Sequence, residues 1–425
     1  MFKAVGVTAA AVLAMGALAS CTSVSAGEGS DTVRVTLANH VWTDIIKDRI
    51  SEFEKDTGLT VELTQLGEDQ LSDQYNVKLN AGTDEIDVMM YRPLQEGKLF
   101  AQNGYLADIS DRVTANSDWN WDDFQSGPVG ATTWEGSVVG VPTITEQEVL
   151  YYRTDLLEAA GLDVPATLDD LENAAKVISE DNPGVAGFVA RTARSAAVTQ
   201  FSSFLYSFGG DFIKNGKSVI DSPEAKAAYE YYGGLLNNYG PENVSTDMSW
   251  PEAAAIFAQG NAAFYTDASS LYKNLTEAEN STVSDSVGFA PFPAGPAGSK
   301  PYNVPSWALG INEASPNQDN AWKFIEWATS PEMTLDIQEA GVPGARDSVW
   351  ADPAGTASFP PALAEAVAIG SETGVGYDRP LVISVAEARE IVGAPIVEAI
   401  TGGDVDSVIA DAHEKFQAFL DGENK

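Results

Sequence analysis

Cysteine is nearly absent from this chain of 425 residues: Cys21 is the only one, so no internal disulfide can form and stability must come from the core. Histidine is almost as scarce. His40 and His413 are the only two, so no cluster with metal-ligand spacing exists, and neither a metal nor another cofactor is expected. Positive charge is short as well, with 24 Lys and Arg against 62 Asp and Glu and a formal charge of −38. Phosphate backbones need basic groups to neutralise them, and anionic lipid surfaces attract basic segments. Charge therefore argues against nucleic acid as a partner and against direct adhesion to anionic lipid. Acidity by itself speaks for solubility, not for a function. No Walker-type phosphate loop and no Gly-x-Ser-x-Gly elbow occurs. Carboxylates are so numerous that a glycosidase-like pair could be drawn anywhere, which is no evidence without geometry.

The chain opens with Lys3 followed by a short apolar run, Ala4 to Ala19, that stops at small residues. That is secretory-signal architecture, too short and wrongly flanked for a spanning helix. Leu18-Ala19-Ser20-Cys21 resembles the lipobox of bacterial lipoproteins, whose cysteine becomes the first residue after cleavage and is acylated through its thiol. The expectation is a signal peptide over residues 1–20, a lipid on Cys21, and a flexible tether over residues 21–32 rich in Ser, Gly and Thr. The protein would then hang from the outer face of the cell membrane; an ordinary secretory signal with a chance cysteine is the bland alternative. No later stretch approaches the roughly 18 consecutive apolar residues of a membrane helix. The remaining ~390 residues exceed what one hydrophobic core usually serves, so two domains are expected.

Val33 to Leu37 alternates and is β-branched, which predicts a strand. A helix follows with Trp42, Ile45, Ile46, Ile50 and Phe53 on one face and Gly58 as its stop. Val61 to Leu63 begins a second strand, making a parallel βαβ unit, and Asp87 to Tyr91 reads as a third, more buried strand. Ligands of open parallel sheets bind beyond the strands' carboxyl ends, where Asn39, Trp42 and Tyr91 fall. A second α/β pattern begins near Thr145. It has strands at Val149–Arg153, Gly187–Ala190 and Ala262–Thr266, a helix ending at Gly161, and a capping-box-like start at Thr167. Ser315-Pro316 and Ser330-Pro331 each set a cap before a proline suited to a first helical turn.

Three segments in order carry a resemblance: Val139-Gly140-Val141-Pro142 with Glu146 and Leu150 to Leu157; Phe257 to Phe264 ending at Asp267; and Ile311 to Pro316 with Ala321 to Trp327. Together they resemble the extracellular solute-binding proteins of bacterial ABC importers, within the carbohydrate-binding group and nearest its sorbitol/mannitol-type binders. The loop Tyr91-Arg92-Pro93-Leu94-Gln95-Glu96-Gly97 departs from the polyol binders' pattern. The resemblance implies an α/β, two-lobed periplasmic-binding-protein (Venus-flytrap) fold with three hinge crossings, at Thr143–Glu146, Tyr265–Asp267 and Asn312–Ser315. Lobe 1 would hold residues 33–143 and 267–312, and lobe 2 residues 145–266 and 316–420. It implies a non-catalytic, monomeric receptor for a small neutral carbohydrate, delivering it to ABC permease subunits driven by a separate ATPase.

Sugars offer hydroxyls to donors and acceptors, and C–H faces to aromatic rings. On those grounds Trp307, which matches a family tryptophan facing the cleft, is the expected platform, with a core tryptophan as the alternative. Glu146 follows Val141-Pro142 at the first crossing and is the expected carboxylate, or else a hinge ion-pair member. Arg346 and Arg191 match family arginines beside the cleft, and either could instead be structural. Asp267 could accept sugar hydroxyls or cap a helix. Asn39, Trp42 and Tyr91 are candidates by position, and Trp250 is a further one that a hydrophobic staple explains equally well. Two competing functions stand beside the receptor: a secreted glycoside hydrolase, and a binder of cationic ligands such as polyamines or peptides.

Overall fold

The computed structural model describes residues 31–423. The expected signal peptide, the lipid-bearing Cys21 and the tether up to residue 30 lie outside the described residues, and Thr32 already opens the first strand. Among the described residues no helix is long and apolar enough to cross a membrane.

In chain order the strands are β1 (Thr32–Ala38), β2 (Thr60–Leu66), β3 (Val88–Tyr91), β4 (Thr133–Trp134), β5 (Ser137–Val138), β6 (Val141–Arg153), β7 (Ala186–Val189), β8 (Ile213–Lys214), β9 (Lys217–Ser218), β10 (Ala262–Ala268), β11 (Val287–Pro291) and β12 (Asn303–Ile311). β4–β5 and β8–β9 are small hairpins; the rest form one sheet ordered β2-β1-β3-β12-β6-β10-β7, with β11 also on β6. The βαβ unit is as the alternation predicts. β1 runs parallel to β2, Thr32 opposite Thr60, and the helix Val41–Thr57 between them buries Trp42, Ile46 and Phe53. That helix ends at Gly58 with φ 72°, a left-handed turn that glycine adopts without a Cβ penalty. Thr167 caps the helix Leu168–Asp181 in a reciprocal box with Asp170, as its spacing predicts. Ser330 caps Pro331–Glu339 likewise, whereas the helix after Ser315 starts only at Gln318, and the Ser315 hydroxyl donates to Asp87 at 2.6 Å.

β6 organises the molecule. Its first part, through Gln147, pairs antiparallel with β12; from Glu148 onward it pairs with β10 and β11. The sheet therefore has two halves joined by one strand, each packed in its own core. The first core holds Val33, Trp42, Val88, Ile144, Leu309, Phe324 and Ile337. In the second half the strand period of two sends Leu150 and Phe264 to one face and Tyr151 and Tyr265 to the other, giving a cluster on each side.

These cores divide the chain differently from the expected lobes. The helices Gln318–Ala328 and Pro331–Glu339, expected in lobe 2, bury Phe324, Ile325, Met333 and Ile337 in the first core. Tyr272, Leu275, Phe289 and Phe292, expected in lobe 1, pack in the second-half clusters. The chain crosses along β6. Its other crossings lie between Phe292 and Val304 and between Ala345 and Trp350, not at Tyr265–Asp267 and Asn312–Ser315. Periodicity reports that a segment is buried; it does not report which of two cores receives it.

Candidate functional site

A cavity of ≈ 420 Å³ opens between the two halves. The first half contributes Glu68, which follows β2, then Arg92, Leu94 and Gln95, which follow β3, and Val304 to Trp307 of β12. The second contributes Arg191, Thr199, Trp250, Ala268, Leu271, Asp378 and Arg379, and Glu146 enters from the crossing strand. The residues after β2 and β3 stand at the carboxyl ends of parallel strands, the expected place for a ligand.

Trp307 reaches the cavity because β12 is irregular there: its register against β6 shifts on both sides of Trp307. A bulge of this kind turns a side chain away from strict alternation. The Thr143 hydroxyl donates to the Trp307 carbonyl at 3.0 Å and holds the bulge in place, and the Arg92 guanidinium lies 6.0 Å from the indole. Trp250 opens its helix behind the Ser249–Glu252 capping box and is 40% exposed, so it presents a free aromatic face rather than a staple.

Every guanidinium on the cavity wall already has a carboxylate. Arg191 donates Nε to Asp267 at 2.8 Å and Nη2 at 2.5 Å, and its own backbone N–H is held by Gln200 at 2.7 Å. Asp267 is fully buried and also accepts from the Tyr265 hydroxyl at 2.6 Å and the Ala268 N–H at 2.8 Å. Arg92 bonds Glu96 at 2.7 Å and pairs with Glu68. Arg379 forks onto Asp378 at 2.5 and 2.6 Å. Burial acts to raise the Asp378 carboxyl, but the Arg379 charge and hydrogen bonds outweigh it and bring it down to about 2. Such pairs orient the guanidinium while cancelling its charge. Glu146 differs: it accepts from the Ser270 hydroxyl at 3.0 Å, and burial raises its carboxyl above the ordinary range.

Of the expected residues, Trp307, Glu146, Arg191 and Trp250 line this cavity; Trp307 does so with 8% of its surface exposed, the rest of its indole packed in the first core. Arg346 does not. It is fully buried in the first half, donating to the Thr329 carbonyl at 2.9 Å and to Asp123 at 3.0 Å, with Phe124 4.0 Å beneath its guanidinium. Asp267 lies behind the wall as the partner of Arg191, neither on the cavity surface nor at a helix cap. Trp42 is core. Tyr91 is buried too, its ring packed against Phe100 and under Gly140. Asn39 is exposed at the end of β1, its N–H donating to the Leu66 carbonyl at 2.7 Å, outside the cavity wall. Arg92, Glu68, Asp378 and Arg379 were not anticipated. For Arg92 a signal existed: it is the first residue beyond the fully buried strand Val88–Tyr91, at that strand's carboxyl end.

The profile of bacterial extracellular solute-binding proteins matches residues 39–334. The mannitol-binding protein of Pseudomonas aeruginosa is 26% identical over 338 residues, which cover 76% of this chain and 76% of that protein. A probable ABC transporter-binding protein of Deinococcus radiodurans is 29% identical over 299 residues, 68% of this chain and 69% of its own. Among solved structures, maltose-bound MalE3 of T. maritima is 30% identical with a TM-score of 0.72, covering 91% of this chain and all 100% of that one. An ABC transporter solute-binding protein of Agrobacterium radiobacter, in complex with ribitol, is 25% identical with a TM-score of 0.73, covering 91% and 98%. With two α/β lobes, a shared crossing strand and a cavity between them, the chain belongs to the bacterial extracellular solute-binding protein family.

Proposed function

We propose that this protein is an extracytoplasmic, lipid-anchored, non-catalytic receptor that takes a small neutral carbohydrate between its lobes and delivers it to an ABC permease. The carrying observation is the cavity's chemistry: two tryptophans offer faces for C–H surfaces, beside three guanidiniums whose charge is already cancelled. Such groups donate hydrogen bonds to hydroxyl and ring oxygens without demanding an anion. Arg92, Arg191 and Arg379 pair with Glu68, Glu96, Asp267 and Asp378, and Glu146 adds a carboxylate with no arginine partner, so an acidic sugar would meet net repulsion. The relatives named for mannitol, maltose and ribitol bring the same class to mind from an independent direction.

A thermal-shift panel of D-mannitol, ribitol and maltose, with D-glucuronate and spermidine as charged controls, tests this reading. A neutral ligand at 100 times its Kd adds about 2.7 kcal/mol of stability. A response to spermidine alone would replace it with a cation binder, and cleavage products from maltose would replace it with a hydrolase. Anchoring is tested separately. The Cys21→Ala protein is expected to fold and leave the membrane fraction; detergent-dependent retention would sink the lipoprotein reading.

A further inference from the structure

Residues 374–384 belong to the second half by sequence, yet they lie across both halves. Val375 donates to the Pro301 carbonyl and accepts from the Asn303 N–H, each at 2.8 Å, at one of the crossings. The Tyr377 hydroxyl donates to Asp211 of the second half at 2.9 Å. Gly376 sits against Gly127 of the first half so closely that a Cβ would lie 2.3 Å from the Gly127 carbonyl oxygen. Further on, Lys98 of the first half donates to the Leu381 carbonyl at 3.1 Å, and Arg379 Nη1 reaches Gln95 at 3.4 Å. Between these ties Asp378 and Arg379 enter the cavity wall.

The guanidinium of Arg379 is divided in use. Nε and Nη2 are fixed on Asp378, which is 1% exposed and cannot swing away. Nη1 has, among the described residues, only the long contact to Gln95, so it keeps donor capacity toward the cavity. We propose that residues 374–384 form a strap that closes the cleft, and that Arg379 reads the ligand by donating Nη1 to one of its oxygens. Asp378 positions that donor; Gln95 and Lys98 hold the strap to the opposite lobe. A lysine at this place would keep the charge and lose the fork.

This rests on the carbohydrate reading for its ligand, and its test separates the two. Calorimetry with D-mannitol and with maltose is run on the full chain and on Arg379→Lys. The variant keeps a positive charge beside Asp378 and is expected to stay folded with a somewhat lower melting point, and to bind at least tenfold more weakly below its melting point; equal affinity in the folded variant overturns the assignment of Arg379. The double variant Gln95→Ala/Lys98→Ala removes the far anchor, and because Gln95 also lines the cavity its readout is taken on the free protein. Without ligand, its backbone hydrogen exchange over residues 376–383 is expected to be at least threefold faster than in the wild type, and unchanged exchange overturns the strap. If the wild type binds neither sugar, the carbohydrate reading fails on these probes, while the exchange measurement still decides the strap.

Discussion

Asp267→Ala is expected to lower stability by about 3–5 kcal/mol, because it strands the Arg191 guanidinium in a nearly closed site. Asp267 is 0% exposed and Arg191's side chain 12% exposed, so water cannot replace the lost carboxylate. The Tyr265 and Tyr302 hydroxyls, 2.6 and 3.4 Å from the same carboxylate, lose an acceptor at the same stroke. Spread over a body of this size, the loss corresponds to a melting point lower by about 4–6 °C. Arg191→Met combined with Asp267→Leu strands neither member of that pair and should recover part of that stability. It should not recover affinity, since the donor on the cavity wall is gone. Melting curves and calorimetry on both proteins check this; a wild-type melting point for Asp267→Ala would show that the pair is not held dry. Full affinity in the double variant would mean that Arg191 supports the wall without touching ligand.

Trp307→Ala is expected to cost about 2 kcal/mol or more in binding, roughly 30-fold in Kd, for every sugar that binds at all. The indole offers a flat apolar face, which discriminates little between hydroxyl stereoisomers. Glu146→Gln should fail differently. It keeps the shape but exchanges an acceptor for a mixed amide, removing about 1.5–3 kcal/mol of charge-assisted bonding, or 10- to 150-fold, mainly for ligands with the matching hydroxyl pair. Calorimetry across D-mannitol, ribitol and maltose separates a uniform loss from a selective one. Unchanged affinity in well-folded Trp307→Ala would move the stacking platform to Trp250.

The local elements were legible because local physics sets them. Alternation marked β1, short strand-like runs marked β2 and β10, the 3.6-residue period marked the helix Val41–Thr57, and Gly58, Gly161 and Thr167 marked ends and starts through backbone preferences that need no distant partner. Of the two loops legible as a place for ligand, the one beyond β3 lines the cavity and the one beyond β1 does not; Glu68, beyond β2, takes its place. Which residue at β3 faces the cavity was a matter of one step past the strand's end: Tyr91 closes β3 in the core, and Arg92 opens the loop on the cavity wall.

What the sequence by itself determined, then, is the opening βαβ unit, several further strands and helix ends and, through ordered motifs, the family and its two-lobed fold. Tertiary structure alone decided the rest. It sent the helices Gln318–Ala328 and Pro331–Glu339 to the first core, buried Arg346 against Asp123, and put Asp267 behind Arg191 rather than on the cavity wall. It also carried Asp378 and Arg379 to Gln95, hundreds of residues earlier in the chain. An apolar period is the same whichever core receives it, and an arginine's partner is chosen by the folded chain's proximity, which sequence separation does not encode.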